Sequence, residues 1–466
     1  MQKSTSSRFS RTLYAGYLLI LCWAPLPLAS NRDWSLGLLI AMILLLAMGM
    51  LVEILLNDLR PWNVLKSYRV PLGLFIVVAT WITCQCIPLD SNWIEMLSPV
   101  TAQSWSLVEG SGDMYPISLD PDSTMVSALF TWCLLLFSTA TLLLHDSAQR
   151  VRTTCMVIVY CGLFQALYGS FMTLSGLEYS FFMEKEFYRG VATGTFVNRN
   201  SQAGYLGMCL AVGIGLLVAN LSGSSVRGWR NHLKGLLDTM LGAKLRLRIY
   251  LALMVIALVL TRSRMGNTAF FTSLAICGIT LMIMQRKLHK GAIILFASMV
   301  LIDFLIVGQW FGFEELAERL ESTSTQTELR DELVRDTITL IKDYPVTGIG
   351  LGTYYAVFLG YQGPEFTLFF DLAHNDYLQF FAELGLIGFI PLAILVLYSL
   401  TIPLIVLHRR RNKLARGLAF GAMMAMVTMG IHATVDFNLQ MPANALLFIV
   451  LLSFAWLSRQ LPRERH

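Results

Sequence analysis

The stretch Leu36 to Leu56, LGLLIAMILLLAMGMLVEILL, decides the fold. Glu53 is its one charged residue. A helix rises 1.5 Å per residue, so about 20 apolar residues cross roughly 30 Å of hydrocarbon. The run is solid rather than alternating, which points to a helix and not to a barrel strand. Comparable blocks recur along the chain. They predict spans near 12–30, 36–56, 70–88, 124–145, 153–174, 200–221, 249–261, 267–285, 291–308, 384–407, 416–436 and 443–459. The predicted class is an all-α polytopic membrane protein with about 12 transmembrane helices, read as one integral membrane domain over 1–466. Composition agrees. The 466 residues are 55% hydrophobic and 14% charged, with mean hydropathy +0.60. A soluble domain of this length needs more charge to cover its surface.

Charge placement gives orientation. With the N-terminus inside, 25 of the 35 Lys and Arg residues fall in inner segments. The outer segment 88–122 has no Lys or Arg but carries Asp90, Glu95, Glu109, Asp113, Asp120 and Asp122. That asymmetry follows the positive-inside rule and predicts cytoplasmic N- and C-termini. Lys3, Arg8 and Arg11 precede the apolar run Leu13 to Leu28, a pattern that a signal peptide also shows. A retained first span is the preferred reading, and cleavage would leave the orientation of the rest unchanged.

Several features read as structural. The net charge of +5 sits in short clusters between apolar blocks, which indicates topology and not nucleic-acid binding. The eight cysteines lie in or beside apolar blocks and read as packing residues. Trp229, Leu233, Leu236, Leu237 and Met240 recur at helical spacing among Arg227, Arg230 and Lys234, as in a helix lying on the inner leaflet. Asp120-Pro121-Asp122 resembles a D-x-D metal site, but an N-cap aspartate followed by a first-turn proline explains it better.

The largest soluble part is the outer, periplasmic segment 309–380, expected to carry short helices. One helix is expected from Thr327 to Lys342, ended by Asp343-Tyr344-Pro345 and followed by the turn Gly348-Ile349-Gly350-Leu351-Gly352. A second starts near His374. Loops this long in a compact membrane domain are usually functional.

Cations on the outer side break the charge trend. Arg262 and Arg264 sit in a tight link between two spans, Arg189 and Arg199 flank a turn before the sixth span, and Arg330 and Arg335 start the loop helix. A lone arginine there is ordinarily a snorkelling or headgroup-binding residue. Four converging on two outer links suggest an anion site, because the guanidinium stays charged and its fork matches phosphate oxygens. His374 is the best general-base candidate, since an imidazole titrates near neutrality. Asp376, Gln379 and Glu383 form a polar stripe behind it on one helix. His432 and Asp436 are spaced i, i+4 at the outer end of the eleventh span, where both are expected on one helical face.

These stretches resemble the O-antigen ligase and Wzy-type polysaccharide polymerase superfamily, bacterial membrane glycosyltransferases of type C. The resemblance rests on RGVATGTFVNRNSQAGYL (189–206), TRSRMG (261–266), RDELVRDTITLIKDYPVTGIGLGTYY (330–355), AHNDYLQFFAELGLIG (373–388) and HATVDFNLQMPAN (432–444), with the Ser118-Leu119-Asp120-Pro121 turn also similar. It covers about residues 115–445. It implies a donor glycan on undecaprenyl diphosphate at the periplasmic face of the inner membrane, attacked by an acceptor sugar hydroxyl. It implies no metal or cofactor. By position, Arg189 and Arg264 look like diphosphate-binding residues and His374 like the base. Arg199, Arg262 and Arg330 are further donor-side candidates, with Asn198, Asn200, Asp376, His432 and Asp436 in support. Fixed cations suit this chemistry because the diphosphate gains negative charge as it leaves.

The partner of the reaction stays open. A polymerase transfers the glycan onto a second lipid-linked repeat, as in exopolysaccharide or O-antigen polymerisation. A ligase transfers it onto lipid A–core in lipopolysaccharide biosynthesis. The polymerase is slightly preferred. A lipid-linked glycan flippase is the different-class alternative, but transporters place polar residues near the midplane of broken helices. Here they gather at outer ends.

Overall fold

The structure is a computed structural model that describes residues 8–57, 60–108, 113–219, 243–284, 331–363 and 370–461. Eleven of the twelve expected spans fall on helices: Arg8–Trp23, Asp33–Leu56, Trp62–Cys84, Pro121–Leu144, Ala148–Ser175, Arg199–Ala219, Ala243–Leu260, Arg264–Met284, Asp376–Arg409, Lys413–His432 and Pro442–Ser458. Eight of these, among the described residues, are long and apolar enough to cross a membrane. The expected ninth span (291–308), the stretch Trp229 to Met240 and Arg330 lie outside the described residues.

Burial separates a centre from a lipid-facing rim. The apolar window of Arg199–Ala219 is 100% buried and that of Lys413–His432 is 78% buried, whereas that of Asp33–Leu56 is 22% buried. The two central helices approach through glycines. A Cβ on Gly417 would collide with the Gly215 carbonyl, and one on Gly421 would lie 2.9 Å from the Ala211 carbonyl. Small residues at such crossings let backbones pack closely where lipid gives no hydrophobic drive. On the rim, Leu44, Leu45, Met48, Leu51 and Leu55 of Asp33–Leu56 are exposed, as a lipid-contacting helix requires.

Several boundaries differ from expectation. The first helix stops at Trp23, because Pro25 and Pro27 lack the amide that would continue it. Leu28, Ala29 and Ser30 then adopt positive φ. The Lys413–His432 helix ends at His432, so Asp436 lies in the turn beyond it and not on the same helical face. Two short antiparallel strand pairs were not anticipated. They pair Leu89–Asp90 with Met114–Tyr115 and Tyr179–Ser180 with Met183–Glu184.

A satellite core covers one end of the bundle, hereafter the loop end. Residues 331–343 are helical. Leu333 and Leu340 from that helix pack with Tyr344, Ile349, Tyr354, Phe358, Ala373 and Ala382. The Thr337 hydroxyl meets the Tyr354 hydroxyl at 2.7 Å, and the Tyr361 hydroxyl donates to Asp343 at 2.6 Å. This small core is tied to the bundle through the long Asp376–Arg409 helix, which is interrupted at Gly385 (φ 60°, ψ −174°).

Candidate active site

The interruption at Gly385 leaves backbone groups without helical partners, and the 345–350 segment supplies them. Leu386 N–H donates to the Pro345 carbonyl at 3.0 Å and Ile387 N–H to Val346 at 3.2 Å. In return the Ala382 carbonyl accepts from Ile349 (3.0 Å) and the Glu383 carbonyl from Gly350 (3.0 Å). Gln85, itself buried, donates its side-chain amide to the carbonyls of Thr347 (2.9 Å) and Glu383 (2.8 Å). Positive φ and the close approach both require glycine at 348: a Cβ there would strike the Glu383 carbonyl. The glycine-rich turn is thus a docking strand for a broken helix. Ser118-Leu119-Asp120 joins it through Leu119 N–H to the Ile349 carbonyl at 2.9 Å. Asp120 acts as the expected N-cap, accepting from Ser123 N–H at 3.2 Å.

His374 sits just ahead of this broken helix. Its own φ is +48°, in the left-handed region that residues other than glycine occupy infrequently. The neighbours enforce it. Asn375 caps the helix, accepting from Tyr377 N–H (3.0 Å) and Leu378 N–H (3.1 Å), and donates to the Thr434 carbonyl (2.9 Å). Ala373 N–H is held by the Gln379 side chain at 3.1 Å. The half-buried imidazole lies edge-on to Phe437 at 4.7 Å and to Phe370 at 6.0 Å. Local strain of this kind concentrates at functional sites.

The polar stripe behind His374 faces the protein interior. Asp376, Gln379 and Glu383 are each buried. Asp376 N–H donates to the carbonyls of Ala433 (3.0 Å) and Asp436 (3.1 Å), and its carboxylate accepts from Leu439 N–H at 3.1 Å. The Glu383 carboxylate accepts from Tyr354 N–H at 3.3 Å. These contacts clamp the His374 turn to residues 433–439.

The same region holds His432 and Asp436, both buried, with Nε2 and Oδ2 3.6 Å apart. A Cβ on Gly266 would lie 3.2 Å from the His432 ring, so the imidazole lies against the first turn of the Arg264–Met284 helix. Asn444 donates to the Ser201 carbonyl (3.0 Å) and to Asn438 (3.3 Å). A buried polar cluster therefore joins the loop-end tips of four helices. Asn438 and Asn444 within it, and Gln85 beside the Gly385 break, were missed by sequence reading. A neutral amide inside an apolar run carries no charge signal, and only its partners reveal it.

The arginines are placed by a segment that dips into the bundle. Residues 191–196 are all buried. Thr195 N–H donates to the Gln165 side chain at 2.9 Å, and a Cβ on Gly169 would meet Gly194 N at 2.8 Å. Gln165 is ten residues before Ser175, the last residue of its helix. That spacing is a depth of about 15 Å. Irregular backbone at such depth is tolerated only when protein groups satisfy it. Ala192 N–H donates to the Leu260 carbonyl at 3.0 Å, which brings this segment against the Thr261-to-Arg264 turn.

Arg262 and Arg264 are exposed at that turn, Arg262 with φ +50°. Arg189 is exposed and pairs with Glu184 at 2.7 Å, while its Nε donates to the Lys185 carbonyl at 2.8 Å. Arg199 is half-buried, with its guanidinium 5.6 Å from the Tyr188 ring centroid. Asn198 caps the sixth-span helix, accepting from Asn200 N–H at 2.7 Å. Lys185 is buried against Glu178 at 2.7 Å and serves the loop's own architecture. Burial draws the Glu178 carboxyl upward, but the Lys185 ammonium, the Gly190 amide and Arg189 outweigh it and hold the carboxyl below its ordinary value.

The helix after the exposed arginines, the glycine turn and the first half of the broken helix on which it docks lie in one matched region. Residues 249–393 match the family model described as O-antigen ligase. The match supports the O-antigen ligase and Wzy-type superfamily for this chain, and an enzyme of the membrane-glycosyltransferase type. No curated protein matches the chain. Arg262, Arg264, Arg330, His374 and Asp376 fall inside the O-antigen ligase match. Arg189, Asn198, Arg199, Asn200, His432 and Asp436 fall outside it. The tertiary fold joins the two sets, through Ala192 to Leu260 on one side and Asp376 to Asp436 on the other.

Proposed function

We propose that the chain transfers a glycan from undecaprenyl diphosphate to an acceptor sugar hydroxyl at the periplasmic face of the inner membrane, without a metal. The observation that carries this reading is the fixed, left-handed His374 turn at the same loop end as exposed Arg189, Arg262 and Arg264. The acceptor oxygen attacks the anomeric carbon and a new glycosidic bond forms. The bond from that carbon to the diphosphate oxygen breaks, and the leaving group keeps the electron pair. His374 takes the hydroxyl proton. The arginines stabilise the charge that grows on the departing diphosphate. A lipid-anchored donor suits cations at the membrane boundary, and the re-entrant 191–196 segment supports that placement.

The transport alternative is disfavoured because the buried ionisable residues Asp376, His432 and Asp436 lie at helix ends and Glu383, beside the Gly385 break, lies about two turns from one. Between acceptors, a lipid-linked repeat (polymerase) is our first reading. Transfer onto lipid A–core is the second, favoured by the description of the matched family. The purified chain in nanodiscs, given an undecaprenyl-diphosphate-linked glycan with each acceptor in turn, distinguishes them by product mass. Turnover should persist in chelator. Absence of transfer to either acceptor would overturn the proposal.

A further inference from the structure

The Tyr179–Glu184 hairpin folds back along the helix it follows. The Tyr168 hydroxyl donates to the Phe181 carbonyl at 2.9 Å, seven residues before Ser175. The hairpin tip therefore lies about 10 Å below the end of that helix, level with its outer turns. On the Ala148–Ser175 helix, Phe164, Leu167, Phe171 and Leu174 form an exposed stripe at helical spacing. On the hairpin and the segment after it, Phe182 (83% exposed), Met183 and Phe187 (70% exposed) are interleaved with exposed Glu184 and Glu186, and Tyr168, stacked on Phe164 at 5.9 Å, joins the stripe to the hairpin. The Phe181 and Phe182 rings are 4.1 Å apart.

The hairpin is held rigidly. Lys185 N–H donates to the Glu178 carbonyl at 2.8 Å, and the Glu178 carboxylate accepts from Lys185 Nζ (2.7 Å) and from Gly190 N–H (2.8 Å). Lys185 Nζ also donates to the Val191 carbonyl at 2.9 Å. This binds the hairpin base to the segment that touches the Thr261-to-Arg264 turn. A pre-ordered aromatic surface in continuity with a lipid-facing stripe thus runs up to exposed Arg189, Arg262 and Arg264.

We infer that the surface formed by Phe182, Met183 and Phe187 with the Phe164–Leu174 stripe binds the prenyl tail of the lipid diphosphate whose head meets the arginines. The inference rests on the proposed function and adds the site of the donor's hydrocarbon. A stripe on a bilayer-spanning helix contacts hydrocarbon by necessity, and a long polyprenyl chain leaving a membrane-boundary headgroup must pass along some apolar surface. A surface that is already ordered loses little conformational entropy of its own when that chain binds.

The test is the double variant Phe182→Ser with Phe187→Ser, both at exposed positions. Its apparent KM should rise about tenfold for an undecaprenyl-diphosphate-linked glycan. The same glycan on a two-isoprene diphosphate should react with wild-type and variant alike. Equal loss with both donors, or no loss with either, overturns the inference. A second readout does not need turnover. A diazirine-bearing undecaprenyl diphosphate should label residues 181–187 of the wild-type chain and be competed by unlabelled undecaprenyl diphosphate. Labelling that matches a diazirine phospholipid and resists competition means contact with bulk lipid only, and also overturns it. A wild-type chain that is labelled competitively yet transfers nothing would sink the proposed function and leave the tail site standing.

Discussion

The Gly350 amide donates to the Glu383 carbonyl at 3.0 Å, beside a break in the longest described helix. This bond and its neighbours convert a glycine-rich loop and an interrupted helix into one rigid unit. His374 is fixed at the start of that unit.

Gly348→Ala should unfold or loosen this unit. It places a Cβ at φ +70° and into the Glu383 carbonyl. The left-handed conformation alone costs an alanine about 1–2 kcal/mol, and the collision adds to it. Gly360→Ala is the control, because its Cβ would meet nothing within 4 Å. Thermal denaturation in detergent should show a lowered midpoint for the first and little change for the second.

His374→Ala should lower kcat by about 100-fold or more, in the range of general-base loss. The midpoint of unfolding should barely move. Asn375→Ala should show a different pattern. It removes two cap hydrogen bonds and destabilises by about 1 kcal/mol. A His374→Ala enzyme with wild-type kcat would remove the imidazole from the chemistry.

Arg264→Ala should reduce kcat/KM for the donor by about 100-fold, as loss of a transition-state charge contact does. Arg264→Lys should recover part of it, since an ammonium keeps the charge and loses the fork. Arg189→Ala should weaken donor use less, because Arg189 already shares its charge with Glu184. Donor titrations at fixed acceptor concentration measure each effect.

The Glu178 latch predicts a pH dependence. Its carboxyl is held below the ordinary value of 4.5, so the latch is at full strength above that value. The stabilisation is lost as pH falls through the lowered folded-state value. Protection against hydrogen exchange across residues 179–192, taken relative to the intrinsic rate at each pH, should fall on that acid side. In Glu178→Gln this pH dependence should flatten, with exchange already faster at neutral pH.

Much of the fold was legible because lipid imposes a simple rule on sequence. Solid apolar blocks of about 20 residues can only be helices, and eleven of them are helices here. One cap was legible too. Asp120 before Pro121 shows that a helix start is a local contest for a few orphan amides. His374 and the exposed arginines stood out because charge is rare in such a chain.

Tertiary structure decided the rest. No local signal says that residues 191–196 enter the bundle, because their amides are satisfied by Gln165 and Leu260, distant in sequence. His432 and Asp436 carry helical spacing, yet the helix ends between them and only packing keeps them 3.6 Å apart. The Gly385 break likewise needs the 345–350 segment to be read correctly. The sequence by itself determined which segments form apolar helices, since that depends on each segment's own transfer from water to lipid. Which loops meet, and so which arginines share an end with His374, depends on hydrogen bonds between segments far apart along the chain.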